Sequence, residues 1–113
     1  MHEMSLAEGI LQVLEAESAK QGFTLVKTVW LEIGALAGVE VSALEFAFDV
    51  VRRGTLAEQA QLVIINLPAQ AWCMPCGQVV EIRQRFDACP QCGSYQLQVS
   101  AGDEMRIKEL EVE

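Results

Sequence analysis

The sequence predicts an α+β chain: a small three-stranded sheet with two helices on one face, plus an inserted four-cysteine zinc-ribbon module. Three observations predict it. Residues 4–21 and 42–53 place apolar side chains at helical period. Residues 24–34, 62–67 and 103–113 read as strands. Between the last two strands lie Cys73, Cys76, Cys89 and Cys92, two Cys-x-x-Cys pairs separated by residues 77–88. The chain has 113 residues, 51% of them apolar. That suits one compact domain with a small module, and not a two-domain enzyme.

In the first helix, Leu6, Ala7, Ile10, Val13 and Leu14 form the apolar stripe. Ser5 and Glu8 have capping-box spacing, and Lys20 and Gly22 supply the stop. In the first strand Leu25, Val29, Leu31 and Ile33 share one face, and Thr28, Trp30 and Glu32 the other. Gly34 to Gly38 makes a turn of small residues. Ser42 with Glu45 is a second capping box, and Val41 with Phe46 has staple spacing. The second helix runs to Arg53-Gly54. Leu62–Leu67 is a strand stopped by Pro68. Short strands are expected at Gln78–Arg83 and Tyr95–Ser100. The last strand changes phase between Ile107 and Leu110, which a bulge at Lys108-Glu109 would reconcile. The expected domains are 1–68 with 101–113, and 69–100, with hinges at Pro68–Ala71 and Ala101-Gly102.

Sixteen Asp and Glu against eight Lys and Arg give a net charge of −8. Such a surface repels phosphate backbones, so nucleic acid is not expected as a partner. Within 69–100, Arg83 and Arg85 are balanced by Glu81 and Asp87. The densest apolar run, Leu62–Ile65, is far short of the ~20 residues of a membrane span. No secretory signal opens the chain, so a cytoplasmic location is expected. There disulfides are disfavoured, and the cysteine pairs read as metal ligands. Each pair is followed by glycine, Gly77 or Gly93, which lets the turn take positive φ. Four thiolates leave no open position, so the site is structural, with zinc expected and iron or disulfides as alternatives. A rubredoxin-like electron carrier and a zinc-ribbon interaction module are the competing readings.

His2 is the sole histidine. Met1 should be retained before so large a second residue. Its α-amine, the His2 amide and imidazole, and the Glu3 amide or carboxylate could then surround Ni(II) or Cu(II) in a plane. A terminal histidine is most often a solvated side chain, and the residues alone leave both readings open. Glu8, Glu15, Glu17, Glu109, Glu111 and Glu113 read as solvated faces. No triad or phosphate loop is present, so no enzyme is expected.

Several segments together carry a resemblance. They are Met1-His2-Glu3-Met4-Ser5-Leu6, Val29-Trp30-Leu31-Glu32-Ile33-Gly34, Leu44-Glu45-Phe46-Ala47-Phe48-Asp49, the paired Cys-x-x-Cys, and Ile107-Lys108-Glu109-Leu110-Glu111-Val112-Glu113. The combination resembles the HypA/HybF family of hydrogenase nickel-incorporation proteins along essentially the whole chain. The resemblance implies a cytoplasmic metallochaperone that holds Ni(II) at His2, with Glu3 tuning the site. It implies zinc at Cys73, Cys76, Cys89 and Cys92. Glu40 falls where some members carry an acidic residue near the nickel. The implied partners are the large-subunit precursor of nickel–iron hydrogenase and a GTPase. Some members also serve urease. A second copy of the chain stays an open candidate partner.

Overall fold

The structure, a computed structural model, describes residues 2–113. Its elements in order are α1 (Glu3–Gln21), β1 (Val26–Gly34), α2 (Val41–Val51), β2 (Gln61–Leu67), β3 (Ala69–Cys73), β4 (Gln78–Ile82), β5 (Leu97–Ala101) and β6 (Met105–Val112). They form two three-stranded sheets, ordered β2-β1-β6 and β4-β3-β5. The expected α+β class and its inserted module are both present. Packing divides the chain into two units. One comprises Met1–Leu31, Val39–Val63 and Ile107–Glu113; the other comprises Glu32–Gly38 and Ile64–Arg106. Among the described residues no helix is long and apolar enough to cross a membrane.

In the first unit α1 packs on α2. The buried stripe of α1 is Glu3, Ala7, Ile10 and Leu14, and that of α2 is Leu44, Ala47 and Phe48. Val13, expected inward, is 47% exposed, because it falls outside the 3-7-10-14 stripe. Both capping boxes are overturned. The N-caps are His2 and Glu40, with no side-chain cap bond at either helix. Ser5 and Ser42 lie inside their helices, past the N-cap position, and the Ser42 hydroxyl donates to the Glu40 carboxylate instead (2.9 Å). Gly22 closes α1 at φ 80, as expected, with its N–H on the Ser18 carbonyl. The N–H of Glu113 bonds the Leu25 carbonyl and the Leu25 N–H returns to the Glu113 carbonyl. The Thr28 hydroxyl donates to Glu111 (2.7 Å), so Glu111 is not merely solvated.

In the second unit β3 is the central strand, antiparallel to both β4 and β5. This corrects the expected hinge at Pro68–Ala71, which is paired strand: Ala69 faces Ile82 and Gln70 faces Ala101. Ala69, Ala71 and Cys73 point inward and are fully buried; Gln70 and Trp72 point outward. The inner face packs with Leu36, Val80, Ile82, Leu97 and Val99. Gly34 and Gly102 permit unusually close backbone approach. A Cβ on Gly34 would lie 2.2 Å from the Gly102 carbonyl oxygen, and one on Gly102 2.5 Å from Ala69 Cα. The expected hinge at Ala101-Gly102 is therefore a packed crossing.

Candidate metal centres

The cysteine site grows out of the second sheet. β3 ends on Cys73, whose carbonyl accepts from the Gly77 N–H (2.9 Å), with Gly77 at φ 63. The second knuckle repeats the device: the Cys89 carbonyl accepts from Gly93 N–H (2.9 Å), with Gly93 at φ 77. Side chains at those positive φ values would be strained, so glycine is required twice. The first knuckle is tied down by Met74 N–H on the Gln96 carbonyl (3.1 Å), and the second by Cys89 N–H on the Ser94 carbonyl (2.8 Å).

The four sulfurs converge within 4.8 Å of one another. Cys73 Sγ is 3.6 Å from Cys92 Sγ, and Cys76 Sγ is 3.9 Å from Cys89 Sγ. A tetrahedron with zinc–sulfur bonds of ~2.3 Å has sulfur–sulfur edges of about 3.8 Å. The sulfurs therefore fit a single zinc ion, and all four cysteines are free of disulfides. Cys73 and Cys89 are buried and Cys92 is exposed.

The thiols are unequal. Donation from the Cys92 backbone N–H, aided by Gln91 N–H at 3.4 Å from Cys89 Sγ, lowers the Cys89 thiol to about 7. The neighbouring Cys92 and Cys73 sulfurs push Cys76 up to about 12. Burial raises Cys73. Clustered thiols cannot all ionise unless a cation balances them. A divalent ion supplies that charge and locks the knuckles together.

At the other end of the chain, Met1 lies outside the described residues. His2 is exposed and caps α1 with φ −122 and ψ 5; its carbonyl accepts the Leu6 N–H (2.9 Å). Glu3, the next residue, is only 6% exposed. Its Oε2 accepts the Glu40 amide N–H at 3.1 Å, so a carboxylate on α1 serves the N-terminus of α2. That bond, then the backbone N–H of Glu3 itself, holds its carboxyl below the ordinary range against the opposing effect of burial. Its Oε1 is buried with no hydrogen-bond partner among the described residues. The fold thus joins Glu3 and Glu40, 37 residues apart. Nothing in the local sequence pairs Glu3 with Glu40. The available signal is the i, i+3, i+7 run of Ala7, Ile10 and Leu14, which extends back one turn onto Glu3.

Four converging cysteine sulfurs define a small metal-binding protein of α+β fold. The family described as hydrogenase/urease nickel incorporation, metallochaperone, HypA matches residues 1–112. Hydrogenase maturation factor HypA of Azotobacter chroococcum mcd 1 is 65% identical over 113 residues, and that of Acidithiobacillus ferrooxidans is 66% identical; each match covers the whole of both chains. The solution structure of the Ni metallochaperone HypA from Helicobacter pylori superposes with a TM-score of 0.71 at 25% identity, covering 99% of this chain and 97% of that one. The chain belongs to the HypA family of nickel-incorporation metallochaperones, maturation factors rather than enzymes. The cage geometry alone would also hold iron; family membership places the chain in nickel incorporation and not in electron transfer.

Proposed function

We propose that this chain carries Ni(II) on its first residues and delivers it to the hydrogenase large-subunit precursor. The ligand set is the α-amine of Met1, the His2 imidazole and intervening amide nitrogens, with Glu3 as the adjoining carboxylate. Glu40, bonded through its amide to Glu3, offers a further carboxylate. Zinc is held by Cys73, Cys76, Cys89 and Cys92. The nickel part is 1–68 with 101–113 and the zinc module is 69–100. Transfer takes place in the cytoplasm with a GTPase partner, where reducing conditions keep the thiolates available.

The observation that carries the nickel reading is Glu3 Oε1. It is buried with no donor among the described residues, and a buried carboxylate oxygen is costly unless a donor or a cation meets it. It sits one residue from the sole histidine. A site with so few supporting contacts releases metal readily, which delivery requires. The imidazole and amine must be unprotonated to bind, so affinity falls with pH.

The test is nickel titration of tag-free protein, with metal content by elemental analysis. His2→Ala should abolish stoichiometric nickel binding while zinc remains. Stoichiometric binding retained in that variant overturns the assignment.

A further inference from the structure

We infer that the loop following β4, residues 83–88, is a docking surface for an acidic segment of a partner protein. Phe86 and the cavity beside it take an aliphatic side chain, and Arg83 and Arg85 take the flanking carboxylates. The inference stands on the second unit alone and is independent of the nickel reading.

Phe86 is the only non-glycine residue with positive φ (70°) among the described residues, and it is 92% exposed. An aromatic residue in left-handed backbone facing water is doubly unfavourable, and such positions cluster at binding sites. The loop is held in this conformation. Asp87 Oδ2 accepts the backbone N–H groups of both Arg83 (3.1 Å) and Gln84 (3.0 Å). One oxygen of the loop's single carboxylate is thereby engaged by the backbone, and the two guanidinium groups of Arg83 and Arg85 outnumber it. Arg83 and Arg85 are exposed, and neither makes an ion pair among the described residues. The even charge count of residues 69–100 hides this local basic spot.

Beside the loop is a cavity of about 150 Å³, lined by Ile82, Arg85, Phe86, Asp87, Tyr95, Leu97 and Val99. Cofactor pockets run to ~300–1,000 Å³, so this one suits a single side chain. Tyr95 is 76% exposed at its rim. Aromatic residues and arginine around a small apolar recess are the composition of protein-interface anchors. A nucleic acid fits less well, because phosphate-backbone binding engages ~6–10 contacts and only two guanidinium groups are available on a chain of net charge −8.

The probe is a capped pentapeptide with leucine between two aspartate pairs, titrated into the zinc-loaded full chain and followed by 15N NMR. We expect shifts confined to residues 82–88 and 95–99, with a Kd on the order of 1 mM. Replacing the peptide leucine by serine should weaken binding, and replacing its aspartates by lysine should abolish it. Arg83→Glu and Arg85→Glu should each weaken binding about 2–5-fold, and the double reversal should eliminate it. Phe86→Gly suits the positive φ, so it should retain zinc and spectral dispersion while losing the peptide. Absence of binding by the aspartate peptide overturns the inference, as does equal binding of the lysine peptide. Undiminished affinity in Phe86→Gly, or tighter binding of oligothymidylate than of peptide, does the same.

Discussion

Replacing Gly34 by alanine tests the close packing on which the second unit is built. A Cβ there would lie 2.2 Å from the Gly102 carbonyl oxygen and 2.7 Å from Gly102 Cα. Relief to 3.0 Å requires 3.0 − 2.2 = 0.8 Å of backbone movement. That same carbonyl accepts the Leu36 N–H (2.7 Å), and Gly34 N–H bonds the Glu104 carbonyl (2.9 Å). Overpacking costs about 1–3 kcal/mol, and disturbing two backbone bonds adds about 0.5–1.5 each. The expected loss is about 2–6 kcal/mol, a large share of a typical stability of ~5–15. Urea unfolding of zinc-loaded protein by circular dichroism measures it. With a slope of about 2 kcal/mol/M, the midpoint should drop by roughly 1 M or more. Gly9→Ala is the control: Gly9 lies inside α1 with nothing within 4 Å of its absent Cβ, so helix propensity should raise stability by up to about 1 kcal/mol. A Gly34→Ala loss below about 0.5 kcal/mol would refute the packing argument.

Three further outcomes follow from the geometry. Zinc binding at pH 7 should release at least two protons, one each from Cys73 and Cys76, whose thiols are raised, and less than one from Cys89, whose thiol is lowered; calorimetry in buffers of different ionisation enthalpy counts the total. Leu14→Ala should cost about 2–5 kcal/mol, since Leu14 is fully buried in α1, and a urea midpoint within error of the parent would contradict that burial. Glu3→Gln should alter the acid limb of stability. The Glu3 pKa is depressed in the fold, so its stabilisation is present above the ordinary carboxylate value of ~4.3 and is lost as pH falls through the lower folded value. The difference in Tm between parent and variant should therefore be largest near neutral pH and shrink below about pH 4, and a pH-independent difference would be inconsistent with it.

The elements legible in the sequence were those with strong periodicity. Both helices, β1 and β2 lie close to where apolar spacing put them, and the four cysteines converge as their spacing implied. β3 escaped notice because Ala-Gln-Ala-Trp-Cys has no β-branched residue and its inward positions are mostly alanine. Alanine carries little hydrophobic signal, although Ala69 and Ala71 are both fully buried. The caps were misread because serine signals a cap by chemistry, whereas these helix starts are set by tertiary contact. At α2 the donor group is satisfied by Glu3, from a different helix, which local sequence does not reveal. Phe86 was invisible for a similar reason: its positive φ follows from Asp87 folding back onto two amides, and Arg-Phe-Asp alone reads as an ordinary loop.

The two metal centres differ in what supports them, and that difference is the physical basis for a carrier. The cysteine ligands start from a strand end and two glycine-closed knuckles, each tied by further backbone bonds. Losing zinc there means unfolding the knuckles, so the ion is retained. In the proposed nickel site the support seen among the described residues is slight: the amides of Glu40 and of Glu3 itself hold the Glu3 carboxylate. His2 itself is exposed and makes no side-chain cap bond. Nickel could then leave without any core residue moving. The Oε1 of Glu3, buried with no donor among the described residues, would favour the loaded state of that proposed site, because a cation would compensate its desolvation. On the proposed ligand sets, tight structural zinc and releasable nickel would follow from one rule: how much folded backbone must be undone to free each ion.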